Sequence, residues 1–195
     1  MRIIDITQEL FSSRVYPGDM PPTYEQVKTV ERDKCSLTNI SMCVHNGTHI
    51  DAHKHFITDG TAVHELDIST FYGKCTVAEF DGIIEKNEIT DVLKNCHKRL
   101  LFKGKCELSD GGATAVANSH IKLIGVEGQS IGNVEHPLSV HMILLKKGII
   151  PLEGLDLSNV EPGEYVLSAF PLNLQGSDGA PVRAVLIDEK NAECR

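Results

Sequence analysis

The sequence predicts a mixed α/β domain in which strands outnumber helices, and three observations support this fold class. The chain has 195 residues, of which 41% are hydrophobic, so it can bury a core as one domain. Short apolar runs with strand-like composition are more numerous than segments with helical spacing. Glycine and proline are scattered as turn residues, without a repeat or a low-complexity tract. We therefore expect residues 1–195 to form a single domain.

Seven segments have the pattern of β-strands, and two have a clear pattern of helices. The expected strands cover residues 3–6, 40–44, 75–80, 99–102, 121–126, 165–170 and 181–187. Ser109 is placed to cap a helix that continues through residues 113–118. Another helix is expected where apolar residues recur at helical spacing, with one face formed by Ile89, Val92, Leu93 and Cys96.

A third helix is expected after Pro137, because proline suits the first turn of a helix. Gly148 would end this helix, after two lysines that interact favourably with the negative end of the helix dipole. The apolar face of the helix would contain Leu138, His141, Met142 and Leu145.

Composition argues against several classes of protein. A formal net charge of −8 repels nucleic-acid backbones, and the absence of tryptophan leaves few rings to stack on bases. Asp5 interrupts the N-terminal apolar run where a signal peptide would continue, and no segment approaches the length of a membrane span. The six cysteines form no CxxC pair, which favours free thiols over disulfides or structural zinc. We expect a cytoplasmic protein that binds neither nucleic acid nor a membrane.

Residues 45–55 contain four histidines and an aspartate, although nine histidines in 195 residues would place roughly half of one in such a window. Strand alternation in residues 40–44 would turn Ile40, Met42 and Val44 toward the core. His45 would then leave the strand on the opposite side. The cluster is therefore expected to begin where a strand ends.

The residues after His45 predict a metal site. Asn46-Gly47 is a turn signal. If the backbone extends again, His49 and Asp51 share one side of the chain and Ile50 faces away. Imidazole and carboxylate ligands without a thiolate match a zinc site that keeps an open position for water, and manganese would also accept them.

The simpler alternative is a histidine-rich surface loop. Gly47 and Thr48 count against it. Close backbone approach and a hydroxyl that supports the ligands are useful at a metal site, whereas a solvated loop needs neither.

A second ion would need further ligands, and the best candidates downstream are His141 and Glu153. His141 lies on the apolar face of the expected third helix, where an unpaired imidazole would be costly. Glu153 ends the otherwise apolar residues 149–152. The alternatives are a core histidine satisfied by a hydrogen bond and a strand-end carboxylate that reaches solvent.

A different enzyme class is suggested by residues 128–132, which match the G-x-S-x-G nucleophile elbow around Ser130 and follow an expected strand. That motif requires a helix directly after the serine, and Pro137 interrupts the span. The histidine of such a triad lies well downstream, whereas the last histidine of this chain is His141. We expect Ser130 to line a turn or a pocket, and a serine hydrolase is the least favoured interpretation.

Together these segments resemble the cyclase family of metal-dependent hydrolases, which includes bacterial kynurenine formamidase and isatin hydrolase. The family signature H-x-G-T-H-x-D-x-P-x-H is matched at His45, Gly47, Thr48, His49, Asp51 and His55. Similar segments elsewhere are Tyr16-Pro17-Gly18-Asp19, Ile124-Gly125-Val126-Glu127 with Ser130, and residues 165–186. The resemblance covers nearly the full chain.

The resemblance implies a swivelling β/β/α fold with a mixed β-sheet core and peripheral helices, assembled as a homodimer or a higher homo-oligomer. It implies two zinc ions per subunit, as in the formamidases, or one manganese ion, as in isatin hydrolases, and the spacing here favours the zinc pair. By motif position, His55 would be the catalytic acid/base. The metal ligands would be His45, His49 and Asp51 for the first ion, and Asp51, His141 and Glu153 for the second.

Three positions depart from the family pattern. His53 replaces the signature's proline, which removes a restraint on φ and adds an imidazole that either binds metal or, as we expect, faces solvent. Tyr16 stands where the formamidases have a tryptophan that contacts the aromatic substrate, and it is the candidate substrate-binding residue. Glu127 replaces the usual aspartate of its turn.

The expected activity is hydrolysis of an amide or formamide C–N bond in a small molecule by a metal-activated water, as in the arylformamidases. One alternative is the hydrolysis of a cyclic amide, as in isatin hydrolases. The other is a metal-binding or ligand-binding module without catalysis.

Overall fold

The structure, a computed structural model, describes residues 1–189. In this part of the chain there are four α-helices: α1 (Val30–Asp33), α2 (Lys86–Asn95), α3 (Asp110–Ala117) and α4 (Leu138–Leu145). The strands are β1 (Arg2–Asp5), β2 (Thr23–Lys28), β3 (Leu37–Ser41), β4 (His49–Asp51), β5 (Tyr72–Glu79), β6 (Gly82–Ile84), β7 (Arg99–Lys103), β8 (Cys106–Leu108), β9 (Leu123–Val126), β10 (Ile150–Glu153), β11 (Gly163–Ser168), β12 (Gly179–Pro181) and β13 (Val185–Asp188). Short 3-10 helices cover His53–His55, Val63–Glu65 and Ile68–Phe71.

A nine-stranded mixed sheet, in the order β1-β13-β11-β5-β7-β9-β10-β4-β12, dominates the described residues. Its central strands β5, β7, β9 and β10 are parallel, and antiparallel strands flank them on both sides. β12 and β13 lie near opposite ends of the sheet, yet only residues 182–184 separate them in the chain. Because this connection spans at most about 14 Å, the sheet curls until its two ends approach each other. The mixed α/β fold class predicted from the sequence is confirmed.

Alternate side chains of the central strands enter two cores. Leu100 and Phe102 of β7 pack in a cluster that includes residues of α2, α3 and α4. Leu101 of β7 and Leu123 of β9 face the other cluster, which contains Ile50 of β4. Helices α2, α3 and α4 therefore cover one face of the sheet, and β4 packs into the core on the other face.

The three expected helices are confirmed as α2, α3 and α4. Ser109 caps α3, since its hydroxyl accepts a backbone N–H of the first turn at 3.0 Å. Gly148, with φ of 74°, follows α4. The expected apolar face of α4 is wrong in part, because Leu138 is 58% exposed whereas Val140 and Leu144 are buried. This short helix packs against both α3 and β10, so more than one of its faces is covered.

Two expected strands differ from the structure. β3 ends at Ser41, lies entirely exposed and pairs with β2 in a separate two-stranded ribbon, so Ile40 does not face the core. The backbone then turns, because the side chain of Asn46 accepts a hydrogen bond from Cys43 N at 2.9 Å. Residues 181–187 form two strands rather than one. Pro181 ends β12, and the chain crosses to the other end of the sheet before β13 begins.

Residues 1–189 contain no disulfide and no helix with the length and apolar character that crossing a bilayer requires. The five cysteines in this range have free thiols, as predicted, and they are Cys35, Cys43, Cys75, Cys96 and Cys106. Cys194 lies outside the described residues.

Candidate metal centre

β4 lies between β10 and β12 and carries two of the expected ligands. Ile50 is fully buried in the core, while His49 and Asp51 approach each other on the other side, with Nε2 3.6 Å from Oδ1. The alternation predicted after Gly47 is thus confirmed. His49 pairs with Glu153 of β10 across the antiparallel ladder. Their side chains therefore leave the sheet on the same side.

The other expected ligands come from α4 and from the turn after β3. His141 Nε2 lies 3.1 Å from Glu153 Oε1 and 3.3 Å from Asp51 Oδ2. His45 Nδ1 lies 3.0 Å from Asp51 Oδ1. Two sets of ligand atoms result, each within 4.8 Å of one another: His45, His49 and Asp51 in one, and Asp51, His141 and Glu153 in the other. The structure brings these five residues together, and their role as metal ligands stays a prediction.

The hydrogen bonds of His49 and His141 leave one nitrogen of each ring directed at a carboxylate. Nδ1 of His49 donates to Gly47 O at 3.0 Å, and Nδ1 of His141 donates to Pro137 O at 2.7 Å. If the rings are neutral, Nε2 of each carries a lone pair. These nitrogens lie 3.5 Å and 3.1 Å from oxygens of Glu153. Two lone pairs at such distances repel each other, so the arrangement calls for a proton or a cation between them.

The buried charges of the cluster fit a metal for the same reason. Asp51 and Glu153 are 1% and 3% exposed, and Oδ2 of Asp51 is buried without a hydrogen bond in the described part of the chain. Burial opposes ionisation, but the neighbouring imidazoles hold the pKa of Asp51 well below its usual range. Burial also opposes protonation of His45 and His141, yet hydrogen bonds to carboxylates raise the pKa of each to about 10. A site that retains protons this strongly suits divalent cations.

His55 lies in the short helix after β4 and faces a cavity of about 220 Å³. Burial lowers the pKa of His55, and the nearby carboxylates of Asp51 and Asp178 only partly offset this effect. A neutral imidazole beside a cavity can accept and release a proton. The same cavity is lined by four of the five expected ligands, namely His45, His49, His141 and Glu153.

Aromatic side chains form part of the cavity wall. Tyr16, the candidate substrate-binding residue, lines the cavity, and its hydroxyl donates a hydrogen bond to Val134 O. Phe56, which no sequence motif marks as a site residue, lies with its ring centroid 4.6 Å from that of His141. The cavity therefore combines polar groups with flat apolar surfaces.

Ser130 is buried and lines the cavity, as expected. Its hydroxyl accepts a hydrogen bond from Gly132 N at 3.2 Å. No helix begins directly after it, since the next helix in the described chain is α4, and it forms no hydrogen bond with a histidine in residues 1–189. The nucleophile elbow is therefore not formed.

The structure shows the surroundings of His53 and Glu127, two positions that depart from the family pattern. His53 is half buried, and its Nδ1 is buried without a hydrogen-bond partner within residues 1–189. The expectation that this imidazole faces solvent is therefore wrong for Nδ1. Glu127 accepts hydrogen bonds from Gly104 N at 2.6 Å and from Leu157 N at 2.9 Å, so its carboxylate connects the segment after β7 with the segment after β10.

Asp178 joins the site without having been identified in the sequence. Its Oδ2 lies 3.0 Å from His45 Nε2 and 3.3 Å from His55 Nδ1. It is 123 residues beyond His55, and a carboxylate between small residues before a short strand gives little local signal.

Comparisons with known proteins show which family the chain resembles. The Cyclase family model, described as "Putative cyclase", matches residues 4–99. The chain is 34% identical to the kynurenine formamidase of Bacillus cereus over 200 residues, which cover 94% of this chain and 96% of that protein. A solved structure described as a potential metal-dependent hydrolase with cyclase activity superposes with a TM-score of 0.83 at 26% identity, over 95% of this chain and 96% of that one. Isatin hydrolase A from Labrenzia aggregata shares the fold, with a TM-score of 0.83 at 21% identity over 96% and 94% of the two chains. By sequence and by structure, this chain belongs to the cyclase family.

Proposed function

We propose that this protein is a metal-dependent hydrolase that cleaves the C–N bond of an amide or a formamide in a small molecule. The observation that carries this proposal is the cluster of three imidazoles and two buried carboxylates that opens, beside His55, into a cavity. The formamidase relative and the hydrolase with the same fold support the same reaction class.

The cluster would hold two divalent cations, which we propose to be zinc, with manganese as the alternative. His45 and His49 would belong to the first ion, His141 and Glu153 to the second, and Asp51 to both. When bound, such cations supply Lewis-acid activation of water and of the scissile carbonyl. As ligands, the imidazoles would be neutral and the carboxylates ionised, because a bound cation displaces the protons that these groups otherwise share.

His55 would carry the proton in this reaction. Because burial lowers its pKa, the imidazole is neutral near pH 7 and can take a proton from the attacking water. The water oxygen bonds to the carbonyl carbon, the C–N bond breaks, and His55 returns the proton to the leaving nitrogen. The products are a carboxylic acid and an amine, which for a formamide means formate and the free amine.

The cavity supports a compact aromatic substrate. Tyr16 and Phe56 offer ring surfaces beside the metal ligands, and the cavity volume of about 220 Å³ suits a small molecule. We propose an N-formyl arylamine as the substrate class, with Tyr16 in contact with the ring. An isatin-like lactam is the second candidate, since isatin hydrolase A shares the fold.

A substrate panel tests this proposal. Metal-free protein would be supplied with zinc or manganese and assayed on N-formyl arylamines, isatin-like lactams and simple cyclic amides. We expect hydrolysis of the formamides that a chelator abolishes and added metal restores. Activity that survives chelation and is lost in Ser130→Ala would instead indicate a serine hydrolase. Stoichiometric metal binding without any activity would favour the non-catalytic binding module.

We further propose that residues 1–195 act as one domain, in the cytoplasm, as a homodimer or a higher homo-oligomer. The nine-stranded sheet supports the one-domain proposal, because it pairs β1 with β13 from the two ends of the described chain. Exposed apolar side chains on the ribbon of β2 and β3, including Tyr24, Leu37 and Ile40, support self-association. Light scattering on the purified protein tests the oligomeric state, and a monomer at all concentrations would contradict it.

A further inference from the structure

Asp178 connects two histidines of the site through a single carboxylate oxygen. Oδ2 lies 3.0 Å from Nε2 of His45 and 3.3 Å from Nδ1 of His55. The two imidazole rings lie close to face to face, with centroids 4.0 Å apart and planes inclined by 32°. One carboxylate therefore meets both an expected metal ligand and the expected acid/base.

The sheet holds Asp178 in this position. Its backbone carbonyl accepts a hydrogen bond from Ala52 N at 2.8 Å, and the next residue, Gly179, pairs with Asp51 across β12 and β4. The side chain itself is 45% exposed, so burial does not confine it. The backbone pairing places the carboxylate against the two rings.

The contacts with Asp178 determine where the imidazole protons lie. The Asp178 side chain is partly exposed to solvent, and an ionised carboxylate only accepts hydrogen bonds. The ring nitrogens that face it, Nε2 of His45 and Nδ1 of His55, must therefore be the donors. His45 then directs Nδ1 at Asp51, 3.0 Å away. Nε2 of His55 has no hydrogen bond within residues 1–189, and its ring lines the cavity.

We propose that Asp178 is a positioning residue that fixes the tautomers of His45 and His55, so that His45 offers Nδ1 to the first ion and His55 offers Nε2 to the substrate. This inference rests on the proposed function for the roles of the two histidines. Because the same oxygen serves both rings, the affinity for the first ion and the proton transfer depend on one side chain.

The competing account is that Asp178 is itself a metal ligand, since His45, His55 and Asp178 also offer three ligand atoms within 4.8 Å. Asp178 is half exposed, whereas Asp51 and Glu153 are buried and form the deeper sets. In addition, Nε2 of His45 and Nδ1 of His55 both approach Oδ2 of Asp178. This arrangement is the one expected when two N–H groups donate to one carboxylate oxygen, and it favours the positioning role.

Variants of Asp178 separate these accounts. The experiment compares wild type, Asp178→Ala and Asp178→Glu, with Asp81→Ala as a matched control, because Asp81 is exposed and forms no hydrogen bond within residues 1–189. Long-range 1H–15N NMR of metal-free wild type should show His55 with a protonated Nδ1 and an unprotonated Nε2. Asp178→Ala should lose this preference.

In the metal-loaded enzyme, Asp178→Ala should lower kcat by about 10- to 100-fold and leave KM nearly unchanged. The affinity for the first ion should fall by a similar factor. Asp178→Glu should restore part of kcat, and Asp81→Ala should resemble wild type.

Two results would overturn the proposal. One is an Asp178→Ala variant with the wild-type His55 tautomer and the wild-type kcat. The other is the loss of one bound ion per chain at saturating metal, which would make Asp178 a ligand. If wild type hydrolyses no member of the substrate panel, the proposed function fails, but the NMR measurement on metal-free protein still decides the proton placement.

Discussion

His49 of β4 and Glu153 of β10 are direct neighbours across the sheet, and their side chains meet with Nε2 3.5 Å from Oε2. The ladder register therefore decides whether the site exists, because a slip of one residue would send Glu153 to the opposite face. Thr48 supports this register beside the pair, since its hydroxyl donates to Gly154 O and accepts from Gln8 N.

Glu153→Gln should reduce the metal content from two ions to one per chain. The amide keeps the shape of the side chain and an acceptor for Ile131 N, which lies 2.7 Å from Oε1, so the protein should still fold. What disappears is the buried negative charge that faces His141 and the second cation. Elemental mass spectrometry on dialysed protein measures the ion count, with the exposed Glu79→Gln as the matched control. Two tightly held ions in the Glu153 variant would contradict the ligand assignment.

His55→Ala should keep both ions and lose turnover. His55 belongs to neither of the two sets centred on Asp51, so its removal leaves the proposed ligands intact. The loss of a proton carrier lowers kcat by about 100-fold or more. Steady-state kinetics and the ion count check the two halves of this prediction. His120→Ala, an exposed histidine outside the cluster, is the control. Unchanged turnover would remove His55 from the mechanism.

The local part of the site could be predicted from the sequence because its residues are close in the chain. Strand alternation alone places His49 and Asp51 together and turns Ile50 away, as the structure confirms. His141 could be identified because an imidazole on an apolar helix face needs a partner, which it finds in Glu153 at 3.1 Å.

The remaining features depend on tertiary pairing that periodicity does not encode. Ile40 alternates like a core strand, but β3 meets only β2 among the described residues and stays exposed. Pro181 begins an apolar run whose pattern predicts one strand. The curl of the sheet divides this run between β12 and β13. Asp178 reaches His45 only because β12 pairs with β4. No local sequence pattern predicts that pairing of β12 with β4.

Gly179→Ala should lower the affinity for the first ion by displacing His45. A Cβ at this position would lie 2.6 Å from His45 Cε1 and 2.9 Å from Ile50 O, so the ring or the strand must shift. The backbone of Gly179 has no positive φ, which makes the effect steric rather than conformational. Overpacking of this kind costs about 1–3 kcal/mol of unfolding free energy. Gly111→Ala is the matched control, since its Cβ would meet no atom closer than 3.5 Å.

Titration of the first ion by calorimetry, together with denaturant unfolding, measures both consequences of Gly179→Ala. Gly111 lies in α3, where alanine favours the helix, so that variant should be as stable as wild type or slightly more stable. A Gly179→Ala protein that binds the first ion with wild-type affinity would show that His45 tolerates the displacement or is not a ligand.

Removal of the metal should make the stability of the protein strongly dependent on pH on the alkaline side. In the metal-free protein, hydrogen bonds to carboxylates outweigh burial and raise the pKa of His45 and of His141 from 6.5 to about 10. Groups with a raised folded pKa bind protons more tightly in the folded state. Their contribution to stability is therefore complete below about pH 6.5 and is lost as pH rises through about 10.

In the loaded protein a cation takes the place of these protons, so the same groups no longer lose a stabilising charge as pH rises. Melting temperatures measured from pH 6.5 to 9 should fall steadily for chelator-treated protein and change little for protein with excess metal. His120→Ala should shift both curves by the same amount, because His120 lies outside the cluster and its hydrogen bond to Cys96 O does not depend on the metal. Parallel curves for loaded and metal-free protein would mean that His45 and His141 do not share their carboxylates with the ions.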